Sequence, residues 1–542
     1  MNIRDENIAL LEQDHFDVLI IGGGINGAVS AAALAARGVK VGLIDSRDFA
    51  GFTSQHSSNL IWGGIKYMEG YEFPLVAGLC KSRNELMRSF PSTVKEIRFL
   101  TTLSNGFRYH PLMLLAGSWL YWLFGRCFTR TPRMLSAAGV EREEPIINTS
   151  NSSGGVEYSD AFLHDNDARF VFNFIRSALA NGCTAANYVE SQGSEANKDG
   201  GWVTRVRDQQ SGKEFDIRST LLINASGAYV DALNASNRID TEHRHQLSKG
   251  IHLIVPQITA NHRVLAFFAD DGRLFFAIPM ANRTCIGTTD SLVESAETTV
   301  SAKDRQFVLS NINARLDLPQ PLTDADIIAE RCGVRPLAVN REDDSEHDFL
   351  HLSRKHIVEV DTAAGHISIF GGKLTDCINV GEEICDKVAQ LGVSLSEPEG
   401  KWYGEPGKAD WQAYQARVRA LSLESYRAED TGESLATRLW RRYGNDAMLM
   451  LDRIETDHTL TEPVLANAGL YRCEVDYLAE REMIVTLEDL LRRRSKLELV
   501  LGRKALAQSD ELMTLCQALF GEQASQRYRE YFELASAEVK PE

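Results

Sequence analysis

The sequence predicts an α/β Rossmann-like domain, a mixed β-sheet cap (α+β) and a C-terminal α-helical domain. Three observations predict this. Near the N-terminus a glycine-rich turn joins a buried strand pattern to an alanine-rich helix pattern. Short strand patterns recur through the middle of the chain. After Gly407 the apolar residues fall at the three- and four-residue spacing of amphipathic helices. A chain of 542 residues is too long for one compact core, so two or three domains are expected.

Composition narrows the function classes. With 44% hydrophobic and 25% charged residues the chain is ordinarily globular, which argues against a disordered, collagen-like or coiled-coil protein. There are 75 acidic against 58 basic residues, a net charge of −17. A field of that sign repels a polyphosphate backbone, so no nucleic-acid partner is expected. A small anion needs only a local basic pocket. The cysteines number nine, an odd count, and no C-x-x-C occurs. Neither a disulfide framework nor a metal site is expected, and a reducing cytoplasm suits the chain. Residues 1–13 mix Arg4, Asp5, Glu6 and Glu12 with short apolar pieces, without a signal-peptide pattern.

The elements follow in order. Residues 16–21, F-D-V-L-I-I, read as a short buried strand. Gly22-Gly23-Gly24-Ile25-Asn26-Gly27 is a G-x-G-x-x-G, and residues 28–36 are strongly helix-forming. Gly38 ends that helix, and residues 39–44 read as the second strand. Asp45 closes it, 18 residues after Gly27. Gly22 permits the tight turn, Gly24 lets backbone approach a pyrophosphate, and Gly27 lets helix and strand pack closely. The N–H groups at the helix start hold phosphate, and Asp45 accepts from a ribose hydroxyl. All parts arrive in register, so a dinucleotide is expected. The motif alone does not separate NAD from FAD. Residues 221–230 read as a strand ending in the small residues Ala225 and Gly227, similar to a late strand of two-domain flavoproteins, which favours FAD.

Residues 111–124, P-L-M-L-L-A-G-S-W-L-Y-W-L-F, fall short of the roughly 20 residues a spanning helix needs. The segment is expected to be either a buried helix or a contact with one membrane leaflet. Trp119, Tyr121, Trp122 and the flanking Arg126, Arg130 and Arg133 favour the second. Residues 150–155 read as a loop. Residues 273–279 and 284–288 read as adjacent antiparallel strands, and residues 352–356 and 367–369 as a further pair. Helical spacing covers 411–423, 434–443, 474–479 and 487–494. The cluster Arg492, Arg493, Arg494 and Lys496 reads as a solvated helix end, with contact to anionic lipid or a partner as the alternative.

Past Asp45 the chain resembles a known family. Thr53-Ser54-Gln55-His56-Ser57-Ser58-Asn59-Leu60-Ile61-Trp62-Gly63-Gly64-Ile65-Lys66-Tyr67 is similar to the flavin-contacting segment of FAD-dependent glycerol-3-phosphate dehydrogenases of the aerobic, quinone-linked type. The resemblance continues through Tyr71-Glu72-Phe73, Glu157-Tyr158-Ser159-Asp160 and Asp167-Ala168-Arg169. It runs on through Lys249-Gly250-Ile251-His252, Ile286-Gly287-Thr288-Thr289-Asp290, Gly333-Val334-Arg335-Pro336-Leu337 and Phe370-Gly371-Gly372-Lys373-Leu374-Thr375. The ordered blocks cover about residues 16–385, and residues 400–542 match more weakly.

The resemblance implies oxidation of sn-glycerol 3-phosphate to dihydroxyacetone phosphate, with hydride passed to FAD and electrons on to a quinone. Relatives with an oxidase reaction reduce oxygen instead. It implies FAD contacts at Gly22, Gly24, Ile25, Asn26, Gly27, Asp45, Ser46, Thr53, Ser54, Ser57, Ser58, Leu60, Trp62, Gly63, Gly64, Val189, Ala225, Gly227, Arg335, Gly372, Lys373, Leu374 and Thr375. Lys66, Tyr67, Arg354 and Trp62 are implied substrate contacts. Arg335, Lys373 and His252 are the implied catalytic residues. Chemistry agrees: arginine suits bidentate contact with a phosphate, and imidazole is the side chain best matched to taking a hydroxyl proton near neutral pH. Arg335, between Gly333-Val334 and Pro336, is expected on a turn that projects its guanidinium into the site.

Three positions depart from the family pattern. Trp62 stands where relatives carry histidine and Lys66 where they carry arginine. Asp376-Cys377-Ile378 stands where they carry Thr-Tyr-Arg. A base, a two-pronged cation and a further cation are thereby lost, which admits a different polyol or polyol phosphate as substrate. A flavin-binding protein without catalysis and an amine or amino-acid oxidase are the remaining readings. The expected organisation is an oxidoreductase region over 16–390. Its FAD-binding parts are 16–90, 150–230 and 330–390, and its substrate cap is 91–149 and 240–330. A helical domain follows over 400–542. The expected partners are a polyol phosphate and a quinone, with a homodimer as a further expectation. The expected location is cytoplasmic, with peripheral contact on the cytoplasmic face of the inner membrane as an extension of it.

Overall fold

The computed structural model describes residues 2–197, 200–269, 272–342, 355–428, 432–465 and 469–537. The first of its two large sheets runs Ile357–Asp361, His366–Phe370, Glu214–Asn224, His15–Ile21, Val41–Ile44, Thr184–Ala186. From His366–Phe370 to Thr184–Ala186 neighbouring strands are parallel. Ile357–Asp361 is an antiparallel edge. Parallel neighbours need crossovers that cover the sheet faces, so the parallel stretches 18–21, 41–44 and 221–223 are buried and apolar. Helix Ile25–Ala36 supplies the first crossover and is almost wholly buried. Its close seat depends on Gly27, where a Cβ would lie 1.8 Å from the Gly22 carbonyl oxygen.

The second sheet runs Ser291–Val293, His243–Pro256, Arg283–Gly287, Leu274–Met280, Arg263–Phe268, Val94–Ser104, Ser152–Leu163, Leu60–Ile61. Ala329–Asn340 pairs along most of His243–Pro256. Leu274–Met280 and Arg283–Gly287 form an antiparallel pair. Three stretches that the sequence placed in or at the bounds of the FAD-binding parts lie in this sheet: Leu60–Ile61, Ser152–Leu163 and Ala329–Asn340. Strand patterns report burial and leave the choice of partner to long-range pairing.

Other local expectations shift for identifiable reasons. Residues 150–155 were expected as a loop, yet the strand begins at Ser152. Gly154 serves close packing there, since its Cβ would lie 2.3 Å from the Leu135 carbonyl oxygen. Arg335 sits within a strand, not on a turn. That strand is an edge, where a sheet tolerates Pro336. The partner of His366–Phe370 starts at Ile357, and positions 352–354 of the expected strand lie outside the described residues.

Beyond residue 407 the chain is helical, with Lys408–Ala420, Leu435–Tyr443, Ala447–Thr456, Arg472–Arg481, Asp510–Phe520 and Ala524–Ala537 as its main helices. Two apolar clusters form its core, one around Tyr414, Leu439 and Leu451 and one around Leu478, Leu491 and Leu512. Arg492, Arg493 and Arg494 are not a solvated helix end. They lie on the buried π-type turn Asp489–Arg494, which faces them inward onto carboxylates of both halves of the molecule. Charge alone reads as surface in a sequence. Here matched partners offset the desolvation that would otherwise exclude three arginines.

Helix Pro111–Phe124 does not take the buried alternative. Only Ser118 and Tyr121 are buried, while Leu112, Met113, Trp119, Leu120 and Leu123 are exposed. Among the described residues no helix is long and apolar enough to cross a membrane.

Candidate active site

The carboxyl ends of four parallel strands meet at one edge of the first sheet, where open α/β sheets bind ligands. Gly22 follows the first, Asp45 the second, Ala225 the strand ending at Asn224, and Gly371 the strand ending at Phe370. Gly22 has φ 108°, and a Cβ there would lie 2.5 Å from the Ala225 carbonyl oxygen. Asp45 accepts from the Gly23 N–H at 2.7 Å and the Arg47 N–H at 2.8 Å. Burial pushes its carboxyl up to about 7 against the pull of those two donors. Its carbonyl accepts from the Val189 N–H at 2.8 Å. The Ile25 N–H, at the helix start, donates to Ser54 Oγ at 3.0 Å. Asn26 donates to the Gly371 carbonyl at 3.0 Å, and its buried Oδ1 has no partner. Gly227 has φ 60° and Gly372 φ 104°.

A second group of side chains gathers between the sheets. Thr53 Oγ1 donates to the Val334 carbonyl at 2.7 Å. The Ser57 N–H donates to Asp167 at 2.8 Å. Thr375 Oγ1 donates to the Trp62 carbonyl at 3.3 Å. Lys373 Nζ donates to the Tyr67 hydroxyl at 2.8 Å and lies 3.9 Å from that ring's centroid. Lys66 shares the short turn Ile65–Met68 with Tyr67. Trp62 donates to the Tyr158 hydroxyl at 3.3 Å and packs near Tyr67 and Phe276. The Gly63 N–H donates to buried Asp160, which also takes Arg83 and the Tyr121 hydroxyl. Tyr121 thus ties the exposed apolar helix to the Trp62–Gly63 segment.

Register assembles the rest. His252 stands opposite Arg331, Gly250 opposite Gly333 and Ser248 opposite Arg335. Side chains opposite one another share a face, so two facing glycines leave bare backbone between flanking polar residues. The Arg335 guanidinium lies on Gly250, where a Cβ would be 2.1 Å from Nη2. His56 lies on Gly333, where a Cβ would be 2.7 Å from its own Cβ. Arg335 Nη2 donates to Thr288 Oγ1 at 3.0 Å. His252 is buried with both ring nitrogens unpartnered. Burial, then Arg331 and Arg335, lower its pKa to about 3, so it is neutral at neutral pH.

These edges match known proteins. A family model described as FAD dependent oxidoreductase covers residues 17–368. The chain belongs to the FAD-dependent oxidoreductase family. A second model, the C-terminal domain of alpha-glycerophosphate oxidase, covers residues 406–527 of this oxidoreductase. It is 31% identical over 495 residues to a glycerol-3-phosphate dehydrogenase of Pseudomonas aeruginosa, covering 90% of this chain and 93% of that one. It is 30% identical over 542 residues to glycerol-3-phosphate dehydrogenase 2 of Mycobacterium tuberculosis, covering 98% and 89%. Its fold is similar to the glycerol-3-phosphate dehydrogenase of Bacillus halodurans complexed with FAD. That likeness has TM-score 0.73 and 24% identity over 98% of this chain and 97% of that one.

The oxidoreductase's residues fit FAD on their own terms. Glycines stand where a Cβ would block backbone approach, a helix N-terminus points into the cradle, and Asn26 offers an unpartnered buried acceptor. Ser46 and Ser58 lie on the segment that carries Thr53, Ser54 and Ser57. Leu60 lies on the short strand that leads to Trp62, Gly63 and Gly64, and Leu374 follows Lys373. Arg354 lies outside the described residues. Two departures from the family pattern are engaged within the protein. Ile378 is buried in the core of the first sheet. Asp376 binds His356 at 2.5 Å and accepts from Asn379 at 2.7 Å. Sequence reasoning missed Arg331, which donates to the Ser57 carbonyl at 2.5 Å and Asn59 Oδ1 at 3.1 Å. Its signal was its spacing: four residues before Arg335 on one strand, hence on the same face.

Proposed function

We propose that the chain oxidises sn-glycerol 3-phosphate to dihydroxyacetone phosphate and passes the electrons to a quinone. The observation that carries this is the glycine-floored patch on which the Arg335 guanidinium lies beside neutral, unpartnered His252. FAD, when bound, supplies the hydride acceptor. Arg335 and Lys373 are the cations that hold the substrate's phosphate, arginine by its two-pronged geometry. Tyr67 fixes the Lys373 ammonium through its hydroxyl and its ring face. Lys66 and Trp62 complete the substrate contacts. His252 takes the hydroxyl proton at a ring nitrogen. A phosphate dianion at Arg335 offsets the arginines' field and raises the basicity of His252 when substrate is present. In this reading residues 16–390 form the oxidoreductase region and 400–542 a helical domain.

Helix Pro111–Phe124, with its exposed leucines and Trp119, is read as lying in one leaflet on the cytoplasmic face of the inner membrane, where a quinone is available. The match to an oxidase's C-terminal domain favours oxygen as the alternative acceptor. Turnover tests both. sn-Glycerol 3-phosphate with a short-chain quinone must yield dihydroxyacetone phosphate, and oxygen uptake without quinone marks the oxidase. No product from FAD-loaded protein with either acceptor contradicts the reading.

A further inference from the structure

The segment 46–58 joins Val41–Ile44 to Leu60–Ile61 and carries Ser46, Thr53, Ser54, Ser57 and Ser58. It is gripped from outside the first sheet. Asp48, fully buried, accepts from Arg493 Nε at 2.7 Å and from Arg494 Nη1 and Nη2 at 2.8 Å each. Asn187 adds a bond at 2.8 Å. Arg493 Nη1 also donates to Gln55 Oε1 at 3.2 Å, and Gln55 donates to the Gly51 carbonyl at 2.7 Å within the segment. The neighbouring Ser54 takes the Ile25 N–H at the start of the dinucleotide helix. Both arginines are themselves fixed. Arg494 lies 3.9 Å over the Phe172 ring and donates to the Glu482 carbonyl at 2.9 Å, and Arg493 pairs with Asp489 at 2.6 Å.

We propose that Arg493 and Arg494 are positioning residues for FAD: by pinning Asp48 they hold segment 46–58 against the dinucleotide helix, so the docked C-terminal domain governs cofactor retention. The proposal rests on the reading of this segment as an FAD contact. The physical cause is the cost of an unpaired buried charge. Without Arg494, Asp48 keeps its charge but loses two of its four donors in a site closed to water. Moving the segment outward is the route by which that carboxylate regains solvation, and Ser54 moves with it.

The test follows FAD release and rebinding, with no turnover involved. Wild type, Arg494→Ala, Arg494→Lys and Asp48→Asn are loaded with FAD, and release is read as recovered flavin fluorescence on dilution. The Kd is then measured by titrating apoprotein. Arg494→Ala and Asp48→Asn are expected to raise the Kd by about tenfold or more, with Arg494→Lys in between. Arg438→Ala is the control for mere destabilisation. Arg438 pairs with Glu474 inside the helical domain and does not touch the segment. It is expected to lower Tm and leave the Kd unchanged. Equal Kd values for wild type and Asp48→Asn, or an equal rise in Arg438→Ala, would overturn the proposal. If Arg494→Ala does not fold, Arg494→Lys and Asp48→Asn decide. A wild type that binds no FAD overturns the FAD-contact reading instead.

Discussion

Gly250 and Gly333 shape the site by what they lack. A methyl at Gly250 would occupy the place of the Arg335 guanidinium, which must shift away from the strand pair to admit it. Gly250→Ala should therefore reproduce Arg335→Ala in kcat/KM while leaving the flavin spectrum intact. For Arg335→Ala the expected loss is about 10²–10³-fold, typical of removing one preorganised charge-stabilising donor, with Arg335→Lys in between. A Gly250→Ala enzyme of normal activity would separate Arg335 from the substrate. His252 gives a pH prediction. Its folded pKa of about 3 lies below its ordinary 6.5, so its contribution to stability is full above pH 6.5 and is lost as pH falls toward 3. The slope is about 1.4 kcal/mol per pH unit. Asp45, pushed up to about 7, runs the other way, but it is common to both proteins compared. The Tm of wild type should fall more steeply from pH 6.5 to 4 than that of His252→Gln, and parallel curves would show that His252 is not held neutral. The residue types were legible in sequence. That Gly250 faces Gly333 and His252 faces Arg331 was not, because strand register over that separation has no local signal.

At the scale of elements, the sequence showed what was local and lost what depended on partners. The strand-turn-helix at residues 16–36 is spelled out by its glycines and alanines, and it is present as expected. The burial of the Arg492–Arg494 turn has no local signal, because the carboxylate shared by Arg493 and Arg494, Asp48, lies far away in the chain. Helix Pro111–Phe124 had two readings, since an apolar run fits a core and a membrane equally well. Its exposed Leu112, Met113, Leu120 and Leu123 choose the surface. Leu120→Glu with Leu123→Glu should release the protein from anionic vesicles in sedimentation, forfeiting about 2 kcal/mol of transfer energy and adding charge repulsion. Thermal stability should stay within about 0.5 kcal/mol of wild type, as for other exposed substitutions. Vesicle binding that survives both changes would remove this helix from the membrane reading.

Over the whole molecule, two sheets meet at the carboxyl ends of the parallel strands, and the helical domain closes the outside of the same junction. The first sheet supplies the dinucleotide cradle, the second supplies Arg335 and His252, and Lys373 follows the first-sheet strand His366–Phe370. Sequence blocks gave this order along the chain. They did not show that the Arg335 strand pairs with the His252 strand, because sheet membership is decided by contacts formed only on folding. In the proposed function this junction is where hydride passes from sn-glycerol 3-phosphate to FAD. The most direct test is to add that substrate to the FAD-loaded protein without oxygen and follow the oxidised-flavin absorbance. Rapid bleaching is expected in wild type, slowed about a hundredfold or more by Arg335→Ala and by Lys373→Ala. An unbleached flavin that dithionite still reduces would contradict the proposed function.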